Sequence, residues 1–306
     1  MPLAITAPRL IVLMAFLVPT LYLHFRGRVR LKLLRQLGNH STLLAPYNAL
    51  MYLFSAVAIR PVLDPRDFPD LAPLQENWRM IHEEALRLYE AGHIQVATGH
   101  NDVGFNSFFK RGWKRFYLKW YGEPLPSALS LCPNTVKLVE SLKSVHAAMF
   151  AVLMPGAKLN PHRDPFAGSL RYHLGLITPN SDDCRMYVDG QLCSWRDGVP
   201  LMFDETYVHS VENRTDQYRV ILFCDVERPL RTRLMTAVNR FVCHHVMRAA
   251  STQNVETERI GLINRIYAPI GRLGELLGRA KRANRTLFNL AKYALIAGLL
   301  YWMFAA

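Results

Sequence analysis

The sequence predicts a mainly β core, a sandwich or jelly-roll barrel, with flanking α-helices and a terminal membrane helix at each end. Three observations predict it. Between about 145 and 226, short apolar runs recur with turn residues between them, the pattern of an antiparallel sandwich or barrel. Outside that region, apolar residues recur at three- and four-residue steps, as on one face of a helix. Finally, the chain is strongly apolar near both ends, over Leu10–Leu23 and Leu287–Ala306.

The first apolar segment is shorter than the roughly 20 residues a spanning helix needs. It reaches that length if residues 3–8 join it and Arg9 snorkels to the interface. A secretory signal and a buried core helix are its rivals. The single Arg9 ahead of the run and the basic HFRGRVR after it, with no small-residue cleavage site, disfavour a signal. The last segment carries one charge, Lys292, and places Tyr301 and Trp302 toward its far end, as interfacial aromatics are placed. Arg26, Arg28, Arg30, Lys32 and Arg35 follow the first segment; Arg272, Arg279, Lys281, Arg282 and Arg285 precede the second. Both clusters flank the central region, so the positive-inside rule assigns residues 26–286 to the cytoplasm.

Between the ends, residues 42–60 are apolar with helical spacing, and Pro61–Pro73 reads as an extended, proline-rich linker. A helix is predicted over 74–91, with Trp78, Ile81, Ala85, Leu88 and Tyr89 on one face. Residues 112–122 alternate as a half-buried strand, Phe116, Leu118 and Trp120 opposite Arg115, Tyr117 and Lys119. Further strands are predicted near 145–153, 169–177, 185–188, 191–195, 201–203, 208–212 and 218–226, with Asp189-Gly190 as a tight hairpin turn. Residues 231–250 read as a basic amphipathic helix with Leu234, Val238, Phe241 and Val242 on its apolar face.

The 306 residues carry a formal net charge of +13, half of them apolar and a fifth charged. That composition excludes a disordered chain and predicts an anionic partner. Because the charge clusters beside the apolar ends, that partner is read as an anionic membrane lipid rather than nucleic acid. Five cysteines without a C-x-x-C pair read as reduced thiols.

Candidate chemistry concentrates in HRDPFAGSLRYH, residues 162–173. This stretch is a metal site, another polar catalytic loop, or a polar turn between strands. His162 and Asp164 are two apart and share a face if the segment is extended. His209 follows at the start of a later strand, in FDETYVHSVEN. Two histidines and a carboxylate on a β-barrel are the donor set of non-haem iron(II) sites. The lack of cysteine in that set disfavours structural zinc. Arg219 lies ten residues on and could clamp a dicarboxylic acid. Arg171 and His173 share a strand face and add positive charge. HRD also opens the kinase catalytic loop, but the required Asn is replaced by Ser169 and no glycine-rich phosphate loop is present. Asp204 and Glu205 with His209 form another donor pairing, without the arginine logic. His244 and His245 are helix neighbours that face different ways.

With those residues in view, the chain resembles the aspartyl/asparaginyl β-hydroxylase family of iron(II)- and 2-oxoglutarate-dependent oxygenases. The order HRDPFAGSLRYHLGL, SWRDG, FDETYVH and the later Arg carries the likeness, which runs through about residue 250. PYNALMYLFS, FNSFFKRGWKRFYLKWYG and LFCDVERPLR are similar to the branch of bacterial lipid A hydroxylases. The resemblance implies a double-stranded β-helix with Fe(II) on His162, Asp164 and His209. It implies 2-oxoglutarate as cosubstrate with O2, its distal carboxylate on Arg219, and Arg171 and His173 lining the pocket. The implied reaction is hydroxylation of carbon 2 of a fatty acyl chain of lipid A, at the cytoplasmic face of the inner membrane. Hydroxylation of protein aspartyl or asparaginyl residues and a non-catalytic lipid-binding module are the alternatives. The expected division is an N-terminal anchor (1–25), a basic juxtamembrane segment and linker (26–72), an oxygenase domain (73–230), a basic helical region (231–286) and a C-terminal membrane segment (287–306).

Overall fold

The computed structural model describes residues 7–37, 39–96, 102–109 and 111–305. Residues 3–6, which would lengthen the first apolar segment, and the Arg272 and Trp302 side chains lie outside what is described. The chain enters through helix α1 (Ala7–Phe25) and helix α2 (Ala45–Leu53), followed by a short edge strand β1 (Val62–Leu63) and helix α3 (Trp78–Glu90). Strand β2 (Trp113–Trp120) leads to helix α4 (Pro133–Ser141) and then to the strand-rich region. That region comprises β3 (Val145–Leu153), β4 (Lys158–His162), β5 (Ser169–Ile177), β6 (Cys184–Val188) and β7 (Gln191–Ser194). It continues with β8 (Pro200–Phe203), β9 (His209–Asn213) and β10 (Arg219–Glu227). Helices α5 (Arg233–Val242), α6 (Leu262–Ala283) and α7 (Arg285–Ala305) close the chain.

The strands form two sheets, one ordered β1-β8-β5-β10-β3-β2 and the other β4-β9-β6-β7. All the strand pairs are antiparallel. The mainly antiparallel β core with flanking helices therefore forms as predicted. In β5 and β10 nearly every residue is buried, because one face meets the second sheet and the other is covered by helices such as α3. Alternation then sorts the side chains. Arg171 and His173 of β5, with Arg219, Ile221 and Phe223 of β10, line a cavity on the inner face. Leu170, Tyr172, Leu174, Val220, Leu222 and Cys224 join the core.

Several expectations are corrected. The predicted linker 61–73 is instead packed structure: β1 pairs with β8, and Leu63, Phe68 and Leu71 are buried. Its four prolines mimic a linker, yet Pro61 precedes β1, Pro65 and Pro69 begin short 3-10 turns, and Pro73 stands in the first turn of a helix. Strand β2 is buried on both faces rather than one. Arg115 reaches the Asp102 carboxylate at 3.1 Å and the Tyr117 backbone N–H donates to Asn254 Oδ1 at 2.8 Å. Within the basic cluster after α1, Arg26 turns inward, stacked over the rings of Tyr52 and Tyr207 at 4.5 and 4.0 Å. Strand β4 is absent from the expected strands, since Pro161 inside it reads as a breaker. Its place at a sheet edge lets that proline stand there without costing a ladder bond.

The hairpin at Asp189-Gly190 is as predicted: Val188 pairs with Gln191, and both turn residues have positive φ, 50° and 83°, as a two-residue type I′ turn requires. The Asp189 carboxylate also accepts the backbone N–H groups of Arg28 and Val29 at 3.0 and 2.8 Å. It thereby fixes the segment leaving α1 to the second sheet. Asp189→Ala is expected to lower stability by about 1 kcal/mol, the low end of the scale for orphaning donors, because both bonds are only part-buried. Thermal melts of the two proteins check this; equal midpoints would show the tether to be idle.

Helix α1 is the one helix among the described residues that is long and apolar enough to cross a membrane, by length and composition. Only 17% of it is buried, and its last turn packs Leu23 against Met51 and Tyr52 of α2.

Candidate active site

The site forms where the second sheet faces the first. His162 ends β4 and His209 begins β9, and the two are direct cross-strand partners. Their ring centroids lie 4.2 Å apart. A register shift makes this possible: Leu159 pairs with Val211, but His162, three residues on, pairs with His209, two residues back. The extra residue is a β-bulge, which re-aims a side chain, so that His162 lines the same cavity as Leu159. Asp164 lies just beyond the strand, fixed by its backbone N–H donating to Glu205 O at 3.0 Å. Donor atoms of His162, Asp164 and His209 all lie within 4.8 Å of one another, the one such group found among the described residues.

The protonation pattern of the histidines suits metal binding. His162 Nδ1 faces Asn160 O at 2.8 Å and His209 Nδ1 faces Tyr207 O at 3.0 Å. A carbonyl only accepts, so each Nδ1 is the donor, and in the neutral ring that leaves the Nε2 lone pair for the cavity. Burial and the neighbouring His162 push the His209 pKa down to about 3, against the pull of Asp164. The ring is therefore neutral near pH 7, the form that coordinates metals. Asp164 remains ionised: burial opposes its charge, but Arg171, His209 and His162 hold its pKa below the usual value.

Arg171 lies at the cavity wall, but its guanidinium is engaged with carboxylates. It donates to Asp164 Oδ2 at 3.0 Å, approaches Asp225 Oδ1 at 3.0 Å, contacts Glu205, and lies 3.8 Å from the Phe223 ring. One Asp164 oxygen is thus held by Arg171 while Oδ1 faces His162 Nε2 at 3.8 Å. His173 accepts a hydrogen bond at Nδ1 from Trp195 Nε1 at 3.3 Å, and its Nε2 has no protein partner. Burial, then Arg171, Arg219 and His209, hold its pKa well below the usual value, so neutral His173 presents an Nε2–H donor.

Arg219 is the odd charge. It is 3% exposed, and no carboxylate among the described residues pairs with it. Its guanidinium lies 4.3 Å over the Trp195 ring and its Nε has no hydrogen-bond partner. Burial pushes its pKa down to about 10, leaving it cationic. A buried, unpaired cation is costly, and a carboxylate in the cavity would offset that cost. Apolar groups, Phe105, Phe108, Trp113, Leu159, Met186, Val211 and Phe223, complete the walls. The Phe108 ring lies 4.8 Å from that of His162. The residues present therefore fit a divalent metal and an anionic ligand together.

The other candidate donors are engaged elsewhere. Asp204 pairs with buried Arg228 at 2.9 Å, and Glu205 accepts from Ser169 Oγ at 2.9 Å besides holding Arg171. His244 and His245 are exposed, their rings at 88° to each other. Asp225, Trp195 and Phe108 were not singled out from the sequence as site residues, and Glu205 was considered only as a metal donor with Asp204 and His209. Each of the three lies inside a stretch that carries the family likeness, Trp195 in SWRDG, Phe108 in FNSFFKRGWKRFYLKWYG and Asp225 in LFCDVERPLR, but their places at the site are set by strand register and packing.

Residues 75–229, just over half of the chain, match the family model of the aspartyl/asparaginyl beta-hydroxylases. The chain is 37% identical over 177 residues to the ornithine lipid ester-linked acyl 2-hydroxylase of Rhizobium tropici, covering 56% of this chain and 62% of that protein. It is 25% identical over 187 residues to the aspartyl/asparaginyl beta-hydroxylase of Mus musculus, covering 58% and 25%. The chain thus spans less than two thirds of the length of either relative. Among solved structures, a Pseudomonas putida prolyl-4-hydroxylase aligns with a TM-score of 0.36 and 19% identity, over 50% of this chain and 87% of that one. On the match to the family model, this chain belongs to the aspartyl/asparaginyl beta-hydroxylase family.

Proposed function

We propose that this chain is an Fe(II)- and 2-oxoglutarate-dependent dioxygenase that hydroxylates carbon 2 of a fatty acyl chain of a membrane lipid. The substrate favoured by the sequence is lipid A, at the cytoplasmic face of the inner membrane. The observation that carries the reading is the convergence of His162, Asp164 and His209 in one cavity with the unpaired Arg219. The β core is read as a double-stranded β-helix, and residues 73–230 as its oxygenase domain between the flanking segments set out above.

His162, Asp164 and His209 would hold the iron, which supplies activation of oxygen when bound. Arg219 would bind the distal carboxylate of the cosubstrate by a bidentate pair. His173 would donate its Nε2–H to an anion beside Arg219, with Trp195 fixing the ring tautomer. Arg171 would orient Asp164 rather than bind the cosubstrate, since three carboxylates surround it. The aromatic and aliphatic walls exclude water and suit an acyl chain. An acyl substrate also accords with the similarity to the Rhizobium tropici protein, an ornithine lipid acyl 2-hydroxylase.

The test is lipid mass spectrometry on membranes incubated with the full chain, iron(II) and 2-oxoglutarate. A gain of one oxygen on an acyl chain is expected, with no gain from His162→Ala. Unchanged lipids, with the oxygen found on aspartyl or asparaginyl side chains of a protein, would replace the lipid reading by the protein one. No consumption of 2-oxoglutarate under any condition would leave a non-catalytic lipid-binding module.

A further inference from the structure

An amphipathic helix ordinarily buries its apolar stripe. Helix α5 buries only part of it: Val242 packs on the core and Met235 and Val238 are half-buried, while the rest of the apolar side is left outside. Its inward side presents Asn239, with Cys243 just past its end, and both are buried. Asn239 accepts from Tyr47 Oη at 2.6 Å and donates to Gly168 O at 2.9 Å. These bonds fix the helix's rotation and turn Leu234 and Phe241 outward, where they are 69% and 63% exposed. Ala237, between them at the i+3 position, is exposed as well.

Charge surrounds that apolar line. From residue 229 to residue 255 the chain holds no Asp or Glu but carries Arg231, Arg233, Arg240, Arg248, His244 and His245. Arg240 is held by Glu227 at 2.9 Å, while Arg231 and Arg233 have no carboxylate partner among the described residues. Apolar residues outward with arginines beside them form the signature of a helix lying in the plane of an anionic bilayer.

The surface is continuous with the helix that can cross a membrane. The Arg231 backbone N–H donates to Phe54 O at 2.8 Å, so α5 starts beside the end of α2. There Leu50 and Leu53 are 39% and 69% exposed. Helix α2 in turn packs on α1 through Leu23, Met51 and Tyr52. Exposed apolar groups thus run from α1 across α2 to α5.

We propose that the outer face of α5, with Leu53 of α2, docks in the interface of an anionic phospholipid bilayer. The occupant is the lipid surface itself: charge complementarity and continuity with α1 both favour it over a second protein. Asn239 and Tyr47 act as positioning residues that hold the apolar line outward. The inference deepens the lipid-substrate reading, but it concerns how the chain sits on the membrane and not what it oxidises.

The test places nitroxide labels on Leu234→Cys, Ala237→Cys and Phe241→Cys, one at a time, in the full chain with Cys193→Ser as background. Leu192→Cys, on β7 and 52% exposed, serves as the water-facing reference. The proteins are reconstituted in phosphatidylcholine vesicles with about a quarter phosphatidylglycerol, a composition that offers the anionic surface such helices bind. Oxygen collision rates are expected to rise several-fold at the three α5 positions over the reference, and collisions with a water-soluble nickel chelate to fall. Adding Arg233→Glu is expected to make the α5 labels shallower. Nickel accessibility at all three positions equal to that at Leu192 would overturn the proposal. So would protection accompanied by dipolar broadening between labels in detergent, which would assign the face to a second copy. Lipid hydroxylation that persists without immersion of α5 would end this inference and leave the catalytic one standing.

Discussion

In His209→Ala, bound iron and lipid hydroxylation fall together below detection. The expectation follows from the cross-strand geometry. His162 and His209 face each other across one antiparallel pair, and Asp164 is fixed beside them by Arg171 and by the Glu205 carbonyl. Three donors leave no spare ligand, so losing one removes a third of the protein's hold on the metal. The fold should survive, because His209 contributes one backbone-directed hydrogen bond, to Tyr207 O. Metal analysis per chain, 2-oxoglutarate turnover and a circular dichroism melt separate the effects. A variant that keeps stoichiometric iron and turnover would remove His209 from the ligand set. One that unfolds would make His162→Ala, at the more exposed end of the pair, the deciding measurement.

Arg219→Met separates cosubstrate binding from stability, with opposite signs. In the ligand-free protein the guanidinium is buried without a carboxylate, and burial lowers its pKa to about 10. Replacing it with an apolar chain of similar length relieves that cost, so the metal-free melting temperature should equal or exceed that of the original protein. The binding of 2-oxoglutarate should weaken. Leaving a buried carboxylate unpaired costs about 3 kcal/mol or more, a hundredfold or greater rise in KM for 2-oxoglutarate. Iron content should be unchanged, since Arg219 supplies no donor atom. The rival outcome is a large loss of stability with KM unchanged. That result would make Arg219 a structural cation stacked on Trp195, 4.3 Å away, and would leave the cosubstrate without its anchor.

Much of the molecule was legible from residue pattern. Alternation along β5 put Arg171 and His173 on one face, because side chains on a strand have a period of two, and Arg219 was legible as a basic residue on a later strand. The Asp189-Gly190 turn was equally plain, since few residues accept positive φ at both turn positions. Strand β4 was not legible. Pro161 suppressed it, and the bulge that rotates His162 toward His209 arises from pairing with β9, about fifty residues away in the chain. The fate of Arg171 was hidden for a similar reason. Whether a guanidinium meets a substrate or three carboxylates depends on where Asp164, Glu205 and Asp225 are brought.

What the sequence by itself determined is a set of local facts: most of the strands and helices, which residues share a face within a strand such as β5, and which residues have metal-binding or anion-binding chemistry. These depend on backbone period, turn stereochemistry and side-chain type, which act over a few residues. Only the tertiary structure decided which of those groups meet, which charges are already neutralised, and which way α5 turns its apolar line. Those outcomes depend on long-range register and on competition for partners inside a closely packed core, where a single bulge at β4 or a bond to Asn239 redirects a side chain.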